Sequence, residues 1–598
     1  MNTRSVAAIF LVLAAGSSDL NAKDKQPPTQ KKEADLCVAP PGAQPLLPAT
    51  LLPGMGVTRD FPVTTSSEEA RKFFLQGVSQ IHSFWFVESE RSCTQALEHD
   101  PNMAMAYWCI ALSAAGDYRP AFQLLRNRAN SAGPGIASGE AAATGAGGGE
   151  ATVRRQTSGA ALDPQLRARE AIAKAMVLRD RVTERERLYI EAQAARRAPG
   201  PKDAADAAYI AGLRKLVAAY PNDLQAKSML GLAISNGFDP VTNEPREHTM
   251  EAIGLLEEIV AKDDSQFGAH HYIIHAYEGS KTPEKAWHSN ARYAGLVFNI
   301  PHALHMPGHI YAQSDRIDAA ISAFSGAASV ELKWLESDSL YPQGHHGHNV
   351  HFLIHALNLG GRYDDSMMWV QHLLTFRENP RERAGNNQQG VWRQGYFGLV
   401  KSLVRFEKWN EIQDGKVFPV YDRPEQNAWR HWALGLAQAN TGQIEKAKAT
   451  LADLQKDLAA VTSAREPIAI GAQELEATIA ARGRDKTRAN ELYRKAADRE
   501  AAMLYTEPPS YPRPVVEGWG NVALAAGDFA TAEKAYREAL KREPGSGRAY
   551  FGLAASLEGL GRTTDANDAR AKAAKAWSHA DANLPQMEKL RTSTAPAQ

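Results

Sequence analysis

From Ser66 onward, apolar and small residues recur at helical rather than strand spacing. Ala-rich stretches are frequent and runs of β-branched residues few, so the pattern predicts helices almost throughout. The clearest register lies near the C-terminus. Gly520, Gly527, Ala532 and Ala539 recur 34 residues later as Ala554, Gly561, Ala566 and Ala573, with Pro544 between the two sets. Small residues in these slots let paired helices approach closely, Gly527 and Gly561 make the turns, and Pro544 stops a helix. Comparable units fit Gly77–Ala96 followed by Pro101, Gly231–Ile259, Gly435–Leu454 and Glu476–Ala496. Ala252, Ala286 and Ala320 form a further ladder at the same spacing. Roughly ten or more helical hairpins are expected between about residues 66 and 580, stacked as a solenoid.

Two stretches interrupt the pattern. Residues 130–161 are Gly/Ala/Ser-rich and almost without large apolar side chains, which predicts a flexible insertion. Residues 500–514 carry Pro508, Pro509, Pro512 and Pro514 and read as a stiff connector between the main array (66–500) and the last repeats (515–580). Solenoids tolerate such loops, so neither is by itself a domain boundary. The chain ends in a tail, 581–598. At the other end, Arg4 precedes a short apolar run, Val6–Ala15, and small residues follow up to Ala22. This is the layout of a signal peptide over 1–22, followed by an extended or disordered leader over 23–65. The run is too short to span a bilayer, and no later segment is long and apolar enough. The expected location is therefore the periplasm or the secreted fraction. An oxidising compartment permits a disulfide between Cys93 and Cys109, which fall on consecutive predicted helices; two buried free thiols fit the sequence equally well.

The 34-residue spacing and its small/large/Pro pattern resemble the tetratricopeptide repeat family. The strings HSFWF (82–86), DPNMAMAYWCIAL (100–112), RERLYIEA (185–192), GAHHYIIHAYE (268–278) and HMPGHIYA (305–312) occur in this order. They resemble a histidine-rich group of bacterial tetratricopeptide proteins. That resemblance implies an all-α, right-handed superhelix of helical hairpins and says little about activity. In such arrays the first helix of each hairpin lines the concave groove.

The chemistry is concentrated between Phe267 and Asn358, which hold 12 of the 18 histidines. His271 and His275, His305 and His309, and His351 and His355 are each four apart, so each pair stacks on one helix face. The first two pairs are offset by the repeat length; the third comes 46 residues later, after an insertion that contains Leu340–His346. First helices should begin near Phe267, Pro301 and Gly347. The family's groove-facing slots then fall on His271, His275 and Glu278; on His302, His305 and His309; and on His348, His351, His355 and Asn358. Imidazole suits zinc, copper, nickel and iron, and paired histidines on a helix are a known way to supply adjacent ligands. His271, His275, His305, His309, His351 and His355 are the expected metal ligands. Glu278, one turn beyond His275, is a ligand, a general base or an acceptor behind a ligand. Pro307 suits the first turn of a helix, which would put His305 at or before the helix start.

Lys+Arg and Asp+Glu both total 68, so no basic footprint points to nucleic acid. There is no HExxH, no GxSxG with partners and no phosphate-binding loop. Three functions stay open: a zinc- or copper-dependent enzyme, a scaffold holding a peptide or small molecule in its groove, and a metal carrier or store without catalysis.

Overall fold

The computed structural model describes residues 48–56, 61–123, 164–239, 241–337, 343–377, 390–419, 423–462, 465–503, 506 and 508–594. The expected signal peptide and the 130–161 insertion lie outside these residues. Cys93 and Cys109 are joined as a disulfide between the Phe86–His99 and Ala104–Ser113 helices.

Among the described residues helical hairpins follow one another from Glu68 to Ala576; consecutive helices pack together, and the first helices of successive hairpins also touch along most of the array. Among the described residues the only β feature is an isolated bridge between Phe238 and Pro245. No helix there is long and apolar enough to cross a membrane. The predicted small-residue slots are contact points. A side chain at Gly520 would meet the Tyr536 ring, and one at Gly435 would meet Leu475. Gly527 and Gly561 turn the chain with φ of 72° and 73°, as a glycine after a helix does.

Three contacts fold the array back on itself. At the N-terminal end, the Glu68–His82 helix touches the Phe267–Tyr277 helix, where Gly268 leaves room for the His82 ring. At the other end, Trp577 donates its indole N–H to the Leu359 carbonyl at 3.0 Å. Between them, Arg405 is buried against Glu517 at 2.8 Å and against Glu543, and Lys401 donates to the Pro509 carbonyl at 2.8 Å. In the described part of the leader Met55 and Phe61 are buried, and Asn299 donates its backbone N–H to the Gly54 carbonyl at 3.1 Å.

Candidate metal centre

The three histidine-bearing first helices are Phe267–Tyr277, Pro301–Ala312 and Gly344–Leu359, close to the expected starts. Pro301 opens the second of them. Pro307 is therefore in the helix interior, not in its first turn, and His305 and His309 share one continuous helix. Gly308 next to it lets Phe324 of the Ile317–Ser337 helix press against the backbone.

All of the twelve histidines but His288 are buried, not spread along an open groove. Six of them form two clusters. One nitrogen each of His271, His275 and His302 lie within 4.8 Å of one another, and the same holds for His305, His309 and His348. Tetrahedral zinc bonded at 2.0–2.1 Å holds its nitrogens about 3.3 Å apart, so a small inward shift of each ring closes either cluster on an ion.

Neighbouring groups fix which nitrogen His271, His275 and His305 present. His271 donates from Nδ1 to the His82 carbonyl at 2.6 Å, and His275 donates from Nδ1 to Glu278 at 2.9 Å. Glu278 also accepts from the Gln123 amide at 3.0 Å, so its carboxylate stands behind His275. His305 donates from Nδ1 to Asn349 Oδ1 at 2.7 Å, and Asn349 is oriented by its own amide bond to the Phe324 carbonyl at 3.0 Å. His305 Nε2 is left buried without a hydrogen-bond partner. His302 lies between the clusters, its Nε2 3.1 Å from His271 Nε2 and its Nδ1 3.3 Å from His345 Nε2. His345 in turn donates from Nδ1 to Glu331 at 2.7 Å, and His346 donates to the other oxygen at 3.2 Å.

Burial disfavours the charged form of these rings. It pushes His305 down to about 3 and holds His271, His302 and His348 well below the ordinary histidine range. Burial alone would raise the Glu331 carboxyl, but the facing His345 and His346 outweigh it and bring it down to about 2. His271, His302, His305 and His348 are thus neutral nitrogen donors, with ionised Glu331 close by.

Phe84 covers the first cluster. Its ring lies 4.5 Å from that of His271, 5.2 Å from His275 and 5.6 Å from His302, with the Arg119 guanidinium 4.6 Å away. Its φ of 53° is unusual for a bulky residue, and such backbone persists where surrounding packing dictates it.

Four of the six expected ligands fall in the clusters: His271, His275, His305 and His309. His351 and His355 do not. They lie on the helix that carries His348, but three and seven residues on, which displaces them along its axis by about 4.5 and 10.5 Å, beside the Val391–Arg405 helix. There His351 donates to Gln394 at 2.5 Å and packs on Phe397. His302 and His348 complete the clusters instead; both occupy groove slots in the repeat register, but neither belongs to an i, i+4 pair. Glu331 and Phe84 carry no metal-like spacing, although Phe84 sits in the HSFWF string. A third group, Asp264, His270 and His288, is partly exposed, and Asp264 is already ion-paired with His288 at 2.7 Å and Arg292 at 2.5 Å.

Residues 523–573 match the Tetratricopeptide repeat family. The described residues form an all-α solenoid of helical hairpins, of tetratricopeptide type over 523–573. No curated protein matches the sequence. Among solved structures, the human IFIT1 dimer with m7Gppp-AAAA is 11% identical, covering 86% of this chain and 91% of that one at a TM-score of 0.30. The Cut9–Hcn1 hetero-tetramer of the APC/C is 12% identical over 88% and 89%, with a TM-score of 0.28. Yeast Tom70 is 11% identical over 88% of each chain, with a TM-score of 0.25.

Proposed function

We propose that this chain is an exported metalloprotein whose repeat scaffold holds transition-metal ions, zinc or copper, inside the stack. The observation that carries the reading is the burial of two three-histidine clusters, in which the rings of His271, His275 and His305 are held from behind and His305 Nε2 is left unpartnered. A buried polar atom without a partner costs about 1–3 kcal/mol, and a metal ion removes that cost. Carboxylate, amide or carbonyl groups behind the ligating rings are the usual support of a histidine metal site. In this reading Glu278 orients His275.

Three protein donors leave one position open on a tetrahedral ion, the layout of catalytic rather than structural zinc sites. A metal there supplies Lewis-acid chemistry; the chain's own residues orient the rings, and Phe84 with Arg119 controls what reaches the first cluster. A small molecule suits that setting better than a long peptide, because the histidines lie beneath packed side chains. Export is supported by the N-terminal signal pattern and by the Cys93–Cys109 disulfide, which needs an oxidising compartment to persist.

Metal analysis of the purified mature protein tests the reading, beside a His275→Ala/His309→Ala variant checked for intact helicity. Metal near stoichiometry in the wild type, absent from the folded variant, is the expected result. No metal in either, even after incubation with zinc and copper, sinks it.

A further inference from the structure

Beyond the histidine clusters, two facing helix stripes carry side chains that the metal reading does not use. On the Gly344–Leu359 helix these are His351, His355 and Asn358, and on the Val391–Arg405 helix Gln394, Phe397 and Lys401. Each set recurs every three or four residues and so lies along one face. The faces meet: His351 is bonded to Gln394 at 2.5 Å, and Asn358 donates its amide to Ser402 at 3.1 Å.

Lys401 is 1% exposed, yet its contacts are poor for a buried cation. The ammonium donates to the Pro509 carbonyl at 2.8 Å and sits 4.7 Å from the centre of the Phe397 ring. Among the described residues no carboxylate lies within ion-pair distance of it. Arg405, one turn on, shows the ordinary arrangement, with both Glu517 and Glu543 bonded to it. These four charges sum to zero, but both carboxylates are spent on Arg405. Buried charges are normally paired by contact. Burial accordingly brings Lys401 down to about 7.

The facing helix has a matching deficit. His351 Nε2 and Asn358 Oδ1 are buried without hydrogen-bond partners. The His351 ring lies 5.5 Å from that of Phe397, so Phe397 adjoins both His351 and Lys401. After burial, the charge of Lys401 is the largest influence on both His351 and His355. An ammonium short of an anion thus stands near an imidazole short of a partner, with one aromatic ring against both.

A carboxylate answers the first need, through charge-assisted hydrogen bonds to the ammonium. A hydroxyl answers the second. It both donates and accepts, so it suits His351 Nε2 whichever ring nitrogen carries the proton. We propose that this face binds a small hydroxycarboxylate, with its carboxylate on Lys401, a hydroxyl on His351 and Phe397 against its carbon skeleton. The site begins about 4.5 Å along the helix from His348 and does not require a metal.

Calorimetric titration of the full-length, demetallated protein with lactate tests it, with malate as a longer probe. Propionate lacks the hydroxyl and lactamide the charge. Saturable binding of lactate or malate is expected, with propionate and lactamide each weaker than lactate by about 10-fold or more. Lys401→Met keeps the length of the side chain without its charge and should abolish binding in a protein of intact helicity. His351→Leu should still bind propionate but lose the preference for lactate, a selectivity that a general loss of structure does not produce. Should Lys401→Met lose its helicity, His351→Leu decides the question. No binding of lactate or malate, equal binding of lactate, propionate and lactamide, or binding that survives Lys401→Met overturns the proposal.

Discussion

Acid should destabilise the metal-free protein steeply, and the structure sets the scale. Seven buried rings are held far below the ordinary histidine range by burial: His82, His271, His302, His305, His348, His351 and His355. His82 is brought to about 4 and His305 to about 3. These groups are neutral when folded and ordinary when unfolded. Above an ordinary histidine pKa of about 6.5 neither state binds the protons, and stability is at its full value. As the pH falls below that, the unfolded chain takes up protons the folded chain refuses, so stability is lost progressively down to the folded pKa. At pH 5 His82 and His305 each cost about 2 kcal/mol, about 4 kcal/mol together, against about 5–15 kcal/mol for the whole stability of an ordinary domain. The other five rings act in the same direction. Scanning calorimetry between pH 8 and pH 5 in the presence of a chelator checks this. At about 1 °C per kcal/mol for an array of this length, the two rings alone lower Tm by about 4 °C. A fall of less than about 2 °C would falsify the claim that the rings are folded in neutral form. Bound metal competes with protons for the same nitrogens, so zinc-loaded protein should hold its Tm to lower pH.

Other perturbations have separate signatures. Phe84→Ala removes the ring over His271, His275 and His302; a loss of about 3–5 kcal/mol and faster modification of those histidines by diethyl pyrocarbonate are expected, and unchanged modification would mean that Phe84 does not shield the cluster. Arg405→Ala leaves Glu517 and Glu543 buried without their partner and should cost about 3–5 kcal/mol by chemical denaturation. A neutral result would show that water reaches this pair. Cys93→Ser opens a loop of 16 residues, and should lower stability by about 3 kcal/mol relative to the oxidised protein, with no difference once the wild type is reduced.

The fold was legible because repeat architecture writes itself into sequence: close helix packing demands small residues at fixed intervals, and Gly520 and Gly435 stand where a side chain would collide. The site was legible in part for the same reason. His271, His275, His305 and His309 lie at i, i+4 on first helices, and helical geometry turns that spacing into proximity. What spacing could not convey is contact between distant segments. Phe84 reaches the cluster because the first helix packs against one nearly 190 residues later, as the His271 bond to the His82 carbonyl shows. Glu331 lies on a second helix, which the repeat register assigns to packing. His351 and His355 have the same spacing, but they lie further along the Gly344–Leu359 helix, beside the Val391–Arg405 helix, where Gln394 takes up His351. Pro307 was misplaced because Pro301 had already begun the helix.

The most direct test of the central claim is X-ray absorption at the metal edge of protein loaded with one equivalent of zinc or copper. The account predicts a first shell dominated by nitrogen at about 2.0–2.1 Å for zinc, with the outer-shell scattering of about three imidazole rings. A shell of oxygen or sulfur without imidazole scattering would contradict it, and would place any bound metal away from these histidines.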